Sequence, residues 1–482
     1  MNWIYGSSIA FIAINSLFIA NEYYWFSLVP FLLGLLFLYL FSLDKVLLLI
    51  TFLTPLSVNV EFENLGATVS LPTEPLMAAV LLLFIFKLFF DLKIDKNFLK
   101  HPVTICIFLY LVWILFTSIT SKLPLISFKY FIAKLWFIIP FYVLGVLLFK
   151  KFKNIKIFTG LYIISLLFVI VYTIINHAKW NFTEQPAHWV MTPFYNDHTS
   201  YGALIAMFIP ISLNIVFDKS CKRSLRFIAV LISIILIIAI ILSYSRAAWL
   251  SLIAAAFALL LILIKFKVRY LLYITGFIII LFFSFQNEII NKLEKNKQDS
   301  SANLVEHVQS IYNISSDASN LERINRWQAA IRMFKEKPLV GWGPGTYQFI
   351  YAPYQYSKDK TIISTNAGDK GNAHSEYISP LCEEGILGLL LFLSIIVSVT
   401  YTAIKVFRKS VKKKYGRLAL VYLLGLITYY THGLLNNFLD TDKASVPFWG
   451  FTAIIVALDI YYKTNDENLT IETENNIINS IN

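Results

Sequence analysis

Apolar runs, each close to the length of a membrane crossing, recur along almost the whole chain and decide what it can fold into. A bilayer core demands about 20 consecutive apolar residues in a helix, because backbone polar groups there find partners only within the segment. Runs that meet or approach this length lie near 3–20, 24–41, 46–58, 75–90, 102–119, 126–149, 157–175, 201–217, 227–244, 247–264, 270–286, 386–404, 418–435 and 446–462. The run 46–58 is short and contains Pro55, so the count stands between 12 and 14. The expected fold is all-α, a polytopic transmembrane helical bundle of about 12–14 spans, with one large extracytoplasmic loop containing short helices. Charged residues make up 15% of the 482, with 57% apolar, against roughly 25% charged in soluble domains. That balance excludes a soluble enzyme, a disordered chain and a one-span anchored domain.

The net charge of +12 is a matter of orientation before it is a matter of partners. Lys45, the lysines 93–100, 150–156 and 219–226 with their arginines, Lys265–Arg269 and the run 405–417 supply 22 basic residues to alternate connections. The other short connections hold only Lys122, Lys179, Arg246 and Lys443. The positive-inside rule puts the first set in the cytoplasm. Both termini are then cytoplasmic, and no nucleic acid is needed to explain the charge. Met1–Ala20 reads as a first span, since it lacks a basic n-region and a cleavage site. The expected organisation is spans with short loops over 1–286, a large periplasmic loop over 287–385, C-terminal spans over 386–462, and a disordered cytoplasmic tail over 463–482. Cys106, Cys221 and Cys382 are too scattered for a metal cluster or a disulfide framework.

Few residues on the outer side can carry chemistry. Arg246, in LSYSRAAWLSL, sits between two apolar runs at a junction too short for a loop. It is an interfacial anchor or a ligand for an anionic head group. Arg323 and Arg326 share one face of a short loop helix, LERINRWQAAIRMFKEK, which Pro338 ends. Their guanidinium forks suit phosphate oxygens, although a solvated face is the commoner use of such a pair. His374, in GNAHSEYISPLCEEGILG, can act as a general base near neutrality. Glu384, with Glu383, opens the next helix, where a carboxylate also favours the dipole. Asn196, Asp197 and His198 precede a span and include an evident helix cap. The stretch 432–447 sets His432, Asn436, Asn437, Asp440 and Asp442 around the last outer connection. No metal-ligand spacing, P-loop, dinucleotide fingerprint or G-x-S-x-G is present.

Three motifs in order, SRAAW at a helix junction, RINRWQAAIRMFKEKPLVGWGPGTY, and HSEYISPLCEEGILGLLLF, resemble the O-antigen ligase/O-antigen polymerase superfamily of bacterial polysaccharide-assembly membrane proteins. YNDHTSYGA and HGLLNNFLDTDKAS look like those of its Bacteroidetes-type members. The resemblance covers about 195–395 in named motifs. It implies a metal-independent, cofactor-free glycosyltransferase of the bacterial inner membrane, acting on the periplasmic side. Such an enzyme moves glycan from undecaprenyl pyrophosphate to a sugar hydroxyl. As an O-antigen ligase in lipopolysaccharide biosynthesis it would use lipid A-core as acceptor.

Carried over residue by residue, the resemblance makes Arg246, Arg323 and His374 the catalytic set. The two arginines would clamp the pyrophosphate while His374 takes the acceptor proton. Arg326, Asn196, Asp197, His198 and Glu384 are the candidate substrate-binding residues, and membrane lipids are the remaining partners. Where the family often has Asn after the His, this chain has Ser375. Two other readings stay open: a polymerase extending the lipid-linked glycan, and a transporter moving it across the membrane. A transporter would form no glycosidic bond, and the chain lacks the repeat symmetry of carrier folds.

Overall fold

The computed structural model describes residues 2–62, 67–90, 95–265, 318–356, 360, 364, 371–410 and 413–462. The expected span 270–286, the polar start of the long loop and the tail lie outside these residues. Helices account for about four fifths of the described residues, as the apolar runs require, and this is a polytopic all-α membrane protein. Among the described residues, eight helices are long and apolar enough to cross a bilayer: Pro102–Ile119, Pro124–Leu148, Phe152–Ala178, His198–Phe217, Arg223–Leu242, Arg246–Leu263, Gly385–Lys409 and Asp442–Tyr462. Asn2–Ala20, Val29–Phe41, Leu43–Leu53, Thr73–Phe90 and Lys413–His432 occupy further expected runs. The run 46–58 does not stay helical to its end. It turns at Pro55 into a strand, Val58–Phe62, which pairs antiparallel with Ala67–Leu71. This hairpin holds the only strands among the described residues.

Each span runs between a lysine-rich end and an opposite end. At the basic end, Asp459 draws together two other spans, accepting from Lys405 at 2.7 Å and lying 3.4 Å from His101. Arg417 meets Asp218 at 3.0 Å at the same end. Buried charges are costly unless paired, and these are paired.

The last span, Asp442–Tyr462, is the hub: every residue from Asp442 to Ala457 is buried. Its first turn is tied to the far side of the sequence. Asp442 accepts from the hydroxyls of Ser57 and Thr73, each at 2.5 Å, and the Lys443 ammonium donates to the Ser57 carbonyl at 3.0 Å. Lys134, in mid-span, donates to Asp440 at 2.7 Å. The connections 120–123, 179–197, 243–245 and 433–441 gather at this end, together with the loop helix Ala318–Glu336.

Candidate functional site

Arg246 is the first residue of the helix Arg246–Leu263. A helix N-terminus carries partial positive charge, so an arginine there adds to a field that favours an anion. What lies opposite is set by Gly202. A side chain at Gly202 would put its Cβ 3.0 Å from the Ser245 Cβ and 3.2 Å from the Ala248 Cβ. Because it has none, the helix His198–Phe217 closes onto the turn before Arg246. His198, one turn earlier, is thereby brought near that arginine.

Both Arg246 and Arg323 act electrostatically on the His198 imidazole, although they lie on elements far apart in the chain. Arg323 also acts on His374 and His432. The His198 ring packs edge-on against His188 with centroids 4.1 Å apart. His432 is buried, and its Nε2 has no hydrogen-bond partner among the described residues.

The loop carrying His374 is docked on the loop helix by Arg326. That guanidinium pairs with Glu322 at 2.7 Å, donates to the Asn372 carbonyl at 3.2 Å, and lies 5.6 Å from the Tyr351 ring centroid. The chain passes so close that a Cβ on Gly371 would come within 2.5 Å of the Arg326 Nη1. His374 itself has φ +46°, in the left-handed region, which costs a side-chain-bearing residue about 1–2 kcal/mol. Its own N–H is held by Asn372 Oδ1 at 3.1 Å. Two residues on, the Glu376 N–H donates to the Gly433 carbonyl at 2.8 Å.

Burial, then the charges of Arg326 and Arg323, push the His374 pKa down from 6.5 to about 4, against smaller upward effects of Asp197 and Glu322. The imidazole is therefore neutral at pH 7, the protonation state a proton acceptor needs.

The remaining expected residues divide. Asp197 caps its helix, accepting from the Thr199 and Ser200 N–H groups, both at 2.8 Å, and its charge also reaches His374 and His432. Asn196 is exposed and accepts from Asn59 at 3.0 Å. Glu384 is fully buried against Tyr110 and Trp113 and interacts with the charges of Glu383, Lys134 and Asp440. Its placement is that of a buried support at the base of the loop.

The sequence reading passed over His188, Gly202 and Glu376. His188 had no neighbours to mark it. Glu376, an acid two residues from the candidate base, carried the one readable signal. Among the described residues, no three His, Cys, Asp or Glu side chains converge as metal ligands would. Two surface pockets, one of about 190 Å³ beside Trp180 and Trp189 and one of about 400 Å³ beside Trp342, are lined by other residues than Arg246, Arg323 and His374.

The arginines and histidines of this cluster lie at the end opposite the basic loops. Residues 231–393, about a third of the chain, match the family model described as O-antigen ligase. The match spans Arg246, Arg323 and His374 and stops short of His198 and His432. No curated protein matches the chain. The match indicates a function of the O-antigen ligase/polymerase type, whose members are glycosyltransferase-like.

Proposed function

We propose that the protein is a metal-independent, inverting glycosyltransferase that moves glycan from an undecaprenyl-pyrophosphate carrier to a sugar hydroxyl of lipid A-core. The reaction would take place at the periplasmic face of the inner membrane, with both termini cytoplasmic. What supports this most is that the O-antigen ligase match spans Arg246, Arg323 and His374, with Arg326 docking the His374 loop on the helix that carries Arg323.

In this reading the donor's pyrophosphate lies between the two guanidiniums. They neutralise the charge that develops as the bond from the anomeric carbon to the phosphate oxygen breaks. The acceptor oxygen attacks that carbon from the opposite side, which inverts it. His374 takes the hydroxyl proton, and the carrier leaves as undecaprenyl pyrophosphate. Diphosphate is already a good leaving group, so paired cations suffice where a poorer one would need a Lewis acid. The bound pyrophosphate offsets the charges that hold the His374 pKa low and makes it a stronger base when substrate is present. Arg326 and Asp197 contribute by fixing the loop and the helix start, and His198 lines the anion's position.

The test is reconstitution of purified protein with a lipid-linked oligosaccharide and, in turn, lipid A-core and a second copy of the lipid-linked glycan. Transfer to the core supports the ligase reading and transfer to the glycan makes the protein a polymerase. Movement of carrier across liposomes without bond formation would make it a transporter.

A further inference from the structure

Away from the arginine–histidine cluster, the end of the loop helix Ala318–Glu336 forms one wall of a pocket of about 400 Å³. Its floor is unusually well fixed. Trp342 donates from Nε1 to the Met333 carbonyl at 2.9 Å and from its backbone N–H to the Cys382 carbonyl at 3.2 Å. The Trp342 carbonyl accepts from the Lys122 N–H at 3.0 Å, which pins the pocket to the hairpin joining two spans.

The lining is of two kinds. Phe349 (49% exposed) and Pro353 present open apolar faces, beside the ring of Tyr354. Glu336 and Lys122 bring one carboxylate and one ammonium to the same pocket. The carboxylate accepts from the Tyr354 hydroxyl at 2.5 Å, and the Lys122 ammonium lies 5.0 Å from the Trp342 ring centroid.

We propose that this pocket is a glycan subsite, remote from bond formation, that holds a pyranose unit of a chain engaged at the arginine–histidine cluster. A pyranose ring has a C–H face that lies on an aromatic ring, and hydroxyls around its edge that both donate and accept. A pocket with ring faces, one acceptor carboxylate and one donor ammonium matches that pattern and is of ligand-binding size. The Lys337 ammonium also lies over the Trp342 ring, 4.4 Å from its centroid, so a phosphate would meet two ammoniums and one carboxylate, and the vesicle arm of the experiment below separates it from sugar. Arg323 and Glu336 lie on one helix, thirteen residues apart, or about 20 Å at 1.5 Å per residue. Only a chain of several sugars spans that distance, so the subsite reads glycan length. The engagement of the glycan's other end at the cluster, and with it the dependence on length, rests on the function proposed above. That the pocket holds a sugar unit does not.

The experiment is calorimetric titration of the full-length protein in detergent with oligosaccharides of one to about six units. One series keeps the diphosphate of the lipid-linked glycan at its reducing end, and the other is released by mild acid from the lipid A-core of the same cells. Affinity rises with length in one series, by at least about ten-fold, and Phe349→Ala and Glu336→Gln each remove most of that gain. The series that shows it identifies the bound glycan as donor or acceptor. Lys122→Ser replaces Phe349→Ala if the latter does not fold. Equal binding of all lengths, or variants that bind long fragments like the wild type, overturns the proposal. It is also overturned if Glu336→Gln leaves sugar binding alone and strengthens binding to phosphatidylglycerol vesicles, which makes the pocket a head-group site. No bond forms in this titration, so a negative result leaves the role of His374 to its own test.

Discussion

The Glu376 carboxylate accepts the Tyr429 hydroxyl at 2.6 Å, and this bond ties the His374 loop to the Lys413–His432 helix. The same oxygen accepts the Phe438 and Leu439 N–H groups, at 2.7 and 2.8 Å. One buried side chain thus orders the segments on both sides of His432. Replacing it with alanine strands two backbone donors and a hydroxyl, at about 1–3 kcal/mol each. Glu376→Ala therefore lowers the thermal midpoint in detergent sharply, whereas Tyr429→Phe costs about 1 kcal/mol. Equal midpoints for Glu376→Ala and wild type would show that the latch carries no weight.

His374→Ala reduces transfer by about 10²- to 10⁴-fold, the usual worth of a general base. Binding of the lipid-linked donor stays within a few-fold of wild type, because the arginines hold the phosphates. Near-normal transfer by this variant removes His374 from the mechanism.

Lysine does not replace either arginine. Arg246→Lys and Arg323→Lys keep the charge and lose the planar fork, so donor affinity and turnover both fall. Because the two act on one anion, the double variant loses less than the product of the single losses. Full multiplicativity in transfer assays would place them on separate groups.

The pH profile follows from the neutral state of His374. Its pKa in the free protein is about 4, so activity is present above that value and falls as acid protonates the imidazole. The acid limb of kcat/KM, which reports the free enzyme, lies near pH 4, well below the 6.5 of an unperturbed histidine. The limb of kcat lies higher, because bound pyrophosphate offsets the arginines. A kcat/KM limb at 6.5 or above contradicts the burial and charge around this ring.

Gly202→Ala forces a methyl against Ser245 and Ala248, at 3.0 and 3.2 Å. Overpacking of this kind costs about 1–3 kcal/mol, and the strain falls on the turn that aims Arg246. Donor KM rises with little change in expression. An unchanged KM would separate the helix contact from the site.

Much of this was legible in the residues, for identifiable reasons. Spans announce themselves because a bilayer admits few alternatives, and Arg246 stands out because a charge between two apolar runs is rare, whereas Arg323 and His374 are singled out by the motifs the chain shares with a known family. The Asp197 cap was equally plain, from Asx chemistry before an apolar run. Legibility ended where partners are distant in sequence. Nothing local distinguishes Gly202, whose role is to admit Ser245, and although Glu376 stands two residues from the candidate base, its partners lie more than fifty positions on. Glu384 looked like a ligand from its position after His374, but its surroundings are Tyr110 and Trp113, from another span. Arg326 was read toward substrate, and Glu322 and Asn372 account for its contacts within the protein.

The contacts of Asp442 and Lys443 with Ser57 and Thr73 bear on how the molecule is made. They join the hydroxyls of Ser57 and Thr73 to charges 369 to 386 positions further along the chain. As the chain is made, those hydroxyls enter the membrane long before the groups they pair with. Until residue 442 has been delivered, the early helices wait in the lipid without this counterpart, however many of them have inserted.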